Sequence, residues 1–471
     1  MEKSEAKKQR IIKAEQKQLA KLQKVKAKGS SAFYFALILG FIALINIIDE
    51  VTSNLSVTVQ SSFITEFFVN QPFFGKNYTY EEGLSLHTAV SVFSYVFGVI
   101  TPFYKSLADK FGRKPLFAMS TLGMSIGLLI TYFSPNYIVF LIGSAFISFF
   151  MGHDMQIIYI IEEAPDKLRA RLYSILKALG ILGVVFVPTL RALLMGDDAT
   201  KWRRIFLVPA IVGVIACLLV IFFARDTRVF INERIAYLSR PYDERQEEKR
   251  ILKEKKKTDK NKTGVFNAVK VIFSNKDTKA LMLSHIIFDT GIAAIALYYE
   301  SSMHIAGMST MDITKALFVQ PIVYAVLTFI SGFVADRFGR KTTIISASVL
   351  CVSGFVFFTL GINNLWNPYL IGALCGLYQG CYWIGRDYMN VMMTEKMPTE
   401  IRASAVGAEG LLVCIGMAVG YLLMIVGINF APVWVMCLAV SIPVVTLATI
   451  LFAANVKETK GANLDLVDLI N

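Results

Sequence analysis

The sequence predicts an all-α integral membrane protein with twelve transmembrane helices in two pseudo-symmetric halves of six. Three observations lead to this fold class. Apolar runs of membrane-spanning length recur along the 471 residues, charged residues make up only 18% of the chain, and two loop motifs occur once in each half. Water-soluble domains carry roughly a quarter charged residues. The composition also excludes a disordered, collagenous or disulfide-rich chain.

Twelve apolar runs are long enough to cross a bilayer, which takes about 20 residues in a helix. We number them spans 1 to 12, and they lie near residues 32–55, 86–104, 116–134, 137–161, 172–195, 204–224, 280–300, 313–334, 342–361, 368–393, 404–427 and 432–455. The predicted organisation is a basic N-terminal segment 1–30, a first half 31–224, a central loop 225–279, a second half 280–455 and a tail 456–471.

Two hydrophilic blocks hold the formal net charge of +13. Residues 1–30 carry ten Lys and Arg against three acidic residues, and residues 225–279 carry sixteen against nine. Basic segments of membrane proteins stay on the cytoplasmic side. We therefore expect a multi-pass protein of the cell membrane, plasma or inner, with both termini cytoplasmic. Few aromatic residues accompany these cations, which argues against nucleic-acid binding.

The cysteine and histidine patterns indicate no catalytic or metal centre. All six cysteines lie in apolar runs without CxxC spacing, where they serve as small packing residues. The four histidines form no HExxH motif, and no nucleophile stands beside a base. We expect no enzyme activity, no metal ion and no cofactor.

Two loop motifs recur at nearly the same offset. Residues 107–114 (LADKFGRK) recur as 334–341 (VADRFGRK), and residues 162–170 (EEAPDKLRA) recur as 395–403 (EKMPTEIRA). Two independent repeats in matching loops indicate a duplicated six-span unit. Acidic side chains at helix ends beside Arg or Lys can join neighbouring helices. The residues to which we assign this gating or structural role are Asp109, Gly112, Arg113, Glu162, Arg169, Asp336, Gly339, Arg340, Glu395 and Arg402.

These loops resemble the signature of the major facilitator superfamily, and the resemblance covers nearly the whole chain. Residues 159–165 (YIIEEAP), the pair Thr290-Gly291 and residues 458–461 (ETKG) are similar to the sugar-porter branch and its metabolite and organic-ion relatives. The resemblance implies a monomeric secondary transporter that moves a small organic molecule, together with a proton, by alternating access. It also implies that the loop motifs gate the protein without touching substrate.

Several positions depart from the hexose-transporting members, which bind sugar through neutral amides and a stacking aromatic ring. Where those members carry glutamine, tryptophan or Gly-Pro, this chain has Lys177, Ile287, Phe288, Arg386, Asp387 and Asn390. Charge has replaced neutral polar groups. The pattern favours a charged metabolite, a carboxylate or zwitterion ahead of an organic cation. A neutral-sugar porter and a transporter-like nutrient sensor that binds without transport are the alternatives.

Charged and polar residues interrupt the spans, although each buried charge costs about 2.5–3.5 kcal/mol on insertion scales. His153-Asp154 lies the same number of residues before Glu162 as Arg386-Asp387 lies before Glu395. This spacing places both pairs roughly 12–13 Å inside the helix end, near the midplane. The candidates for substrate binding or coupling are Asp49, Glu50, His153, Asp154, Gln156, Lys177, His285, Asp289, Gln320, Gln379, Tyr382, Arg386, Asp387, Asn390 and Glu409. Each could instead join helices as an ion pair or hydrogen bond.

The proton carrier is ambiguous in the sequence. Asp49 falls where proton-coupled sugar porters carry their span-1 Asp, but Ile142 stands where they carry the partner Arg of span 4. Asp49 and Asp154 are the candidate carriers, with His153 as a group that titrates near neutral pH. Arg191, near the predicted outer end of span 5, is expected to snorkel to the membrane surface.

Overall fold

The computed structural model is helical and confirms the predicted fold class. It describes residues 2–27, 32–91, 112–151, 175–176, 179–180, 182–248, 250–251, 265–397 and 402–460. Within these ranges there is no β-strand, only an isolated bridge between Phe73 and Lys76.

The helices of the N-terminal part include two π-helical turns and one 3₁₀ turn. In chain order they are α1 Glu2–Ala27, α2 Ala32–Thr58, α3 Gln60–Ile64, a π-turn Thr65–Val69, α4 Tyr80–Ser91, α5 Arg113–Tyr132, α6 Tyr137–Phe150, α7 Phe186–Leu190, a π-turn Arg191–Met195, a 3₁₀ turn Ala199–Lys201, α8 Arg204–Phe223 and α9 Arg228–Ser239. The C-terminal part continues with α10 Val265–Ser274, α11 Lys276–Asp289, α12 Ile292–Ala296, α13 Tyr299–Ile305, α14 Thr310–Phe338, α15 Arg340–Asn363, α16 Pro368–Lys396, α17 Arg402–Gly427 and α18 Val433–Asn455.

Seven of the described helices are long and apolar enough to cross a membrane. They are Phe33–Thr58, Arg113–Tyr132, Ala199–Phe223, Thr310–Phe338, Arg340–Asn363, Gly407–Gly427 and Val433–Asn455. The predicted spans 2, 4 and 5 lie partly outside the described residues. Span 7 is interrupted at Thr290-Gly291 and again before Tyr299, so it forms three short helices. Span 10 is the 29-residue helix α16, whose polar residues lower its hydropathy.

The chain forms two compact units that do not coincide with its two sequence repeats. The first unit comprises Met1–Thr52, Val96–Gly183 and Phe206–Asp259, and the second comprises Ser53–Tyr95, Val184–Ile205 and Lys260–Asn471. The second unit therefore contains α10 to α18 together with the end of α2, helices α3 and α4, and the segment from α7 to the 3₁₀ turn. The division into two six-helix halves remains a prediction.

Small residues set the helix spacing in the second unit. Helix α16 packs against α14 and α15. A Cβ atom on Gly372 or Gly376 would meet the backbone carbonyls of Ala316 or Gln320 on α14. This close approach needs glycine, and it brings polar side chains of the two helices within hydrogen-bond distance of each other.

Helices α5 and α15 begin in the same way, each after a glycine with positive φ. Gly112 has a φ of 106° and Gly339 a φ of 97°, a region that glycine adopts without strain. In the first unit, Asp226 accepts a hydrogen bond from Lys114 N at 2.9 Å. In the second unit, Glu458 accepts bonds from the backbone N–H groups of α15. A side chain at either glycine would collide with that carboxylate.

Candidate functional site

An ion pair lies where span 7 is broken. Helix α11 ends at Asp289, and Arg386 projects from the middle of α16. Arg386 Nε donates to both carboxylate oxygens of Asp289 at 3.0 Å, and Tyr382 Oη lies 3.3 Å from Asp289 Oδ1. The Asp289 side chain is fully buried, whereas the Arg386 side chain is 20% exposed.

Aromatic rings fix the position of these groups. The ring of Tyr382 stacks on Phe288 with centroids 4.8 Å apart and an interplanar angle of 11°. The guanidinium of Arg386 lies over the Trp383 ring at 5.3 Å, a distance at which a cation is attracted by the ring face. Gly385 leaves the space that Phe288 occupies, because a Cβ atom there would press on its ring.

The two terminal nitrogens of the Arg386 guanidinium are available to a ligand, because the side chain is 20% exposed. Its Nε is committed to Asp289, and within the described part of the chain neither terminal nitrogen donates a hydrogen bond. A guanidinium carries five N–H donors in a planar fork that matches the two oxygens of a carboxylate. The arrangement can therefore hold one carboxylate of the protein and present two donors to a second, external one.

A second pair of ionisable groups lies beside this one. His285 Nδ1 is 2.9 Å from Glu409 Oε1 of α17, and His285 Nε2 is 3.9 Å from Asp289 Oδ1. Both side chains are buried, with 0% and 1% exposure. His285 Nε2 and Glu409 Oε2 have no hydrogen-bond partner among the described residues. Buried polar atoms are normally paired, so this pair is incompletely satisfied.

Two candidate glutamines form an amide pair. Gln320 Nε2 donates to Gln379 Oε1 at 2.6 Å, and Gln379 Nε2 donates to the carbonyl of Ile295 at 3.3 Å. Both side chains are buried. The pair joins α14, α16 and α12, which is the helix-joining role that polar residues often have in membranes.

The other candidates are dispersed. Asp49, in the first unit, is 1% exposed and borders a cavity of about 10 Å³, room for roughly one water. Glu50 beside it is half-buried, as is Asn390, and Asp387 is exposed. Lying outside the described residues are His153, Asp154, Gln156 and Lys177.

The sequence analysis missed a buried ion pair in the second unit. Arg191 Nη1 lies 3.3 Å from Glu300 Oε1, and the two side chains are 1% and 0% exposed. The expectation that Arg191 snorkels to the membrane surface is therefore wrong. A nearby carboxylate offsets its charge, so the side chain does not need to reach water. The available signal was a pair of opposite charges near the predicted outer ends of spans 5 and 7.

Both carboxylate oxygens of this pair accept hydrogen bonds. Glu300 accepts from Ser61 N at 2.8 Å and from Ser61 Oγ at 2.6 Å. Arg191 Nε donates to Thr314 Oγ1 at 2.9 Å, and Arg191 Nη1 also donates to the carbonyl of Thr58. We call Arg191, Glu300 and these three partners the Arg191 cluster. The Arg386 cluster comprises His285, Asp289, Tyr382, Arg386 and Glu409.

The second copy of the loop motif joins helices through Arg340. Its side chain lies 3.6 Å from Asp336 Oδ1, one turn earlier, and 3.4 Å from Glu395 Oε1 of α16. Thr459 Oγ1 donates to the same glutamate. In the first copy, Arg113 is buried and its guanidinium lies over the Phe230 ring at 5.3 Å. Outside the described part of the chain lie Asp109, Glu162, Arg169 and the side chain of Arg402.

The two capping carboxylates have different environments. Burial raises the pKa of Asp226 above its ordinary value, and the hydrogen bond from Lys114 N only partly opposes this. Burial also tends to raise the pKa of Glu458. However, bonds from four backbone N–H groups outweigh burial and hold that pKa below its ordinary value. The donors are those of Arg340, Lys341, Thr459 and Lys460.

Comparison with known proteins places this geometry in context. The profile of the family described as the Major Facilitator Superfamily matches residues 55–420 and 280–466. The chain is 24% identical over 384 residues to the glucose transporter GlcP of Staphylococcus epidermidis, covering 77% of this chain and 83% of that protein. It is 25% identical over 425 residues to D-xylose-proton symporter-like 2 of Arabidopsis thaliana, covering 82% and 81%.

A solved structure supports the fold over nearly the full length. The inward-open conformation of the xylose transporter XylE from E. coli matches with a TM-score of 0.64 at 15% sequence identity. The match covers 93% of this chain and 99% of that one. At this identity the likeness concerns the fold alone.

Proposed function

Because the chain belongs to the major facilitator superfamily, we propose that it is a secondary active transporter for a small metabolite that carries a carboxylate group. The substrate carboxylate binds the terminal nitrogens of Arg386, and alternating access exposes this guanidinium to each side of the membrane in turn. The two six-helix halves, 31–224 and 280–455, are the moving parts in this proposal. The protein acts as a monomer with both termini in the cytoplasm, and the proton is the coupling ion.

The observation that carries this proposal is the divided role of the Arg386 guanidinium. Its Nε neutralises Asp289 at 3.0 Å, which makes the buried charge tolerable when no substrate is bound. Its terminal nitrogens offer a fork to an incoming carboxylate, which such groups bind by two parallel charge-assisted hydrogen bonds. The indole of Trp383 supports the guanidinium from one face.

The first test is a thermal-stability screen of the purified protein against carboxylates, zwitterions, organic cations and neutral polyols. A bound compound at 100 times its dissociation constant adds about 2.7 kcal/mol of stability, which shifts the melting temperature visibly. We expect a carboxylate or zwitterion to stabilise the wild type and to lose its effect on the Arg386→Gln variant.

The control for this screen is Arg203→Gln, which removes an arginine of similar burial elsewhere. Arg203 forms a bidentate pair with Glu66 at 2.7 and 2.8 Å, remote in sequence from α16. Stabilisation should persist in that variant. A carboxylate that stabilises Arg386→Gln as strongly as the wild type would contradict the proposed site.

A neutral-sugar porter is the second candidate. The relatives named for glucose and D-xylose favour it, and so does the buried amide pair of Gln320 and Gln379, because amides bind sugar hydroxyls. Stabilisation by neutral sugars alone, abolished by Gln379→Ala and retained in Arg386→Gln, would favour this candidate over ours.

Exchange distinguishes a transporter from a sensor that only binds. In liposomes preloaded with unlabelled compound, a transporter accumulates labelled compound by counterflow, whereas a sensor does not. We expect counterflow for the compound that stabilises the protein. Binding without exchange would identify the sensor instead.

A further inference from the structure

We propose that the buried His285–Glu409 pair carries the proton that drives transport, and that it passes the effect of protonation to Arg386 through Asp289. This inference rests on the proposed function and adds to it the residues that couple proton to substrate. It replaces Asp49 and Asp154, the two candidates from the sequence, by a pair on α11 and α17.

The charges inside the Arg386 cluster do not balance when His285 is neutral. Two carboxylates, Asp289 and Glu409, share the cluster with one guanidinium. Arg386 directs its Nε to both oxygens of Asp289 at 3.0 Å, so its charge is matched there. Glu409 is left with His285 as its hydrogen-bonded partner at 2.9 Å. An ionised carboxylate at 1% exposure needs a compensating proton or cation. The one proton on the bond between Nδ1 and Oε1 is the proton that neutral imidazole carries, so the pair keeps a charge of −1 until it binds a second proton.

Few other ionisable groups face this pair. Helix α11 supplies Asp289, α16 supplies Arg386, Asp387 and the hydroxyl of Tyr382, and α17 itself supplies the thiol of Cys414. In the described parts of the other helices packed against α11 and α17, the ionisable residues are Lys270 of α10, Cys437 of α18, and Tyr80, Glu81, Glu82 and His87 of α4. Lys270 is exposed, and His87 packs edge-on to Phe63. Helix α12 carries none. Asp289 and Arg386 thus dominate the electrostatics of the pair.

The pair has an open position for a second proton. His285 Nε2 is buried and has no hydrogen-bond partner in the described ranges, and Asp289 Oδ1 is 3.9 Å away. A proton that binds Nε2 turns the pair of charge −1 into a neutral pair of imidazolium and carboxylate, and no covalent bond other than the new N–H is made or broken. The new N–H faces Asp289 and attracts its carboxylate.

This attraction connects the proton to the substrate. Asp289 divides its charge between His285 and Arg386 after protonation, so Arg386 holds more uncompensated positive charge. A substrate carboxylate then binds Arg386 more tightly. When Nε2 releases its proton on the other side, the Asp289 carboxylate again pairs with Arg386 alone. The substrate carboxylate is then bound less tightly and dissociates. One proton and one carboxylate therefore move in the same direction.

The test separates coupling from exchange in liposomes. The probes are labelled succinate, glycine betaine and glucose, and the assay follows whichever of them the wild type exchanges. We expect counterflow at a saturating concentration of the probe to persist in Glu409→Gln and His285→Gln, because in this proposal the substrate carboxylate binds Arg386 and contacts neither residue. Accumulation driven by an inward proton gradient should fall at least tenfold, and uptake of the probe should no longer acidify a pH-sensitive dye inside the liposomes.

Two controls make the result specific. Asp49→Asn should retain gradient-driven accumulation, because it lies outside the Arg386 cluster. Thr359→Val removes a buried hydroxyl of α15 that donates to the Phe355 carbonyl, and it should behave as wild type. Size-exclusion chromatography reports folding, and if Glu409→Gln is not monodisperse, His285→Gln decides the question.

Gradient-driven accumulation that survives in either folded variant would overturn the inference, as would its loss in Asp49→Asn with counterflow intact. Failure of the proposed function looks different. A wild type that exchanges none of the three probes contradicts carboxylate transport itself, and the coupling inference falls with it. Wild-type exchange with unaltered coupling in the variants removes only the inference.

Discussion

The Arg191 cluster and the Arg386 cluster are both buried arginine–carboxylate pairs in the second unit, but their surroundings differ. Arg191 and Glu300 are 1% and 0% exposed, and the oxygens of Glu300 accept from both the backbone and the hydroxyl of Ser61. In the other cluster, Arg386 is 20% exposed and its terminal nitrogens make no hydrogen bond within the described residues. In the first pair the carboxylate is hydrogen-bonded at both oxygens, whereas in the second pair the guanidinium keeps two terminal nitrogens for another acceptor.

In our proposal, this difference separates a structural ion pair from a binding site. A fully satisfied buried network holds its helices in one arrangement. A partly satisfied network is less stable, and it persists where a ligand or proton completes it. Thr58 and Ser61 belong to the N-terminal segment Ser53–Tyr95 of the second unit, whereas Glu300 and Thr314 belong to its C-terminal part. The Arg191 cluster therefore ties distant chain segments together inside the second unit.

The largest effect on stability should follow from removing the carboxylate of the Arg191 cluster. Glu300→Gln leaves the Arg191 charge uncompensated in a buried site, and loss of one partner of a buried pair costs about 3–5 kcal/mol. We expect a large fall in melting temperature and in the yield of monodisperse protein.

An exposed ion pair provides the matched control. Arg240 and Glu248 are 2.9 Å apart with side chains 46% and 44% exposed. Glu248→Gln should change stability by about 0–1 kcal/mol, because exposed pairs contribute little. A Glu300→Gln variant with the same melting temperature as the Glu248→Gln variant would show that the Arg191 cluster does not stabilise the fold.

A smaller effect should distinguish the two capping carboxylates. At pH 7, Glu458→Gln removes a carboxylate that four N–H groups stabilise, and loss of such a cap costs about 1 kcal/mol. Because the pKa of Glu458 is lowered, its contribution to stability is present at neutral pH and is lost as the pH falls through that lowered value. The melting temperatures of variant and wild type should therefore converge below about pH 4.

Asp226→Asn should behave in the opposite way. The pKa of Asp226 is raised, so its ionised form is disfavoured in the folded protein, and wild-type stability relative to the variant falls as the pH rises through that raised value. At pH 7 we expect a smaller loss than for Glu458→Gln. Melting curves of both variants from about pH 3 to about pH 8 check this, and equal pH profiles would contradict the contrast between the caps.

The fold was largely predictable from the sequence, because long apolar runs indicate the membrane spans and recurring loop motifs indicate the duplicated unit. The interruption of span 7 was not, since residues 280–300 are enough for one span and an isolated glycine such as Gly291 does not by itself end a helix. The function of the ETKG segment also became clear only in the structure, where Glu458 caps α15 from a position more than 100 residues away in the chain.

Within the candidate site, the sequence identified charged residues but not their pairing. It singled out Asp289, Arg386 and Glu409 because charge is costly in a membrane. Which carboxylate Arg386 neutralises depends on helix rotation and spacing, which periodicity does not determine. Glu300 was overlooked for the same reason, since it belongs to no motif and its partner lies far away in the sequence.

The most direct test of the account is substrate affinity in a variant that keeps the charge of Arg386 but removes its fork. In counterflow with a labelled carboxylate that the wild type exchanges, Arg386→Lys should raise the half-saturating concentration at least tenfold, because an ammonium cannot bind Asp289 and a substrate carboxylate bidentately. Its melting temperature should remain close to that of the wild type. An unchanged half-saturating concentration in Arg386→Lys would contradict the claim that this guanidinium binds the substrate.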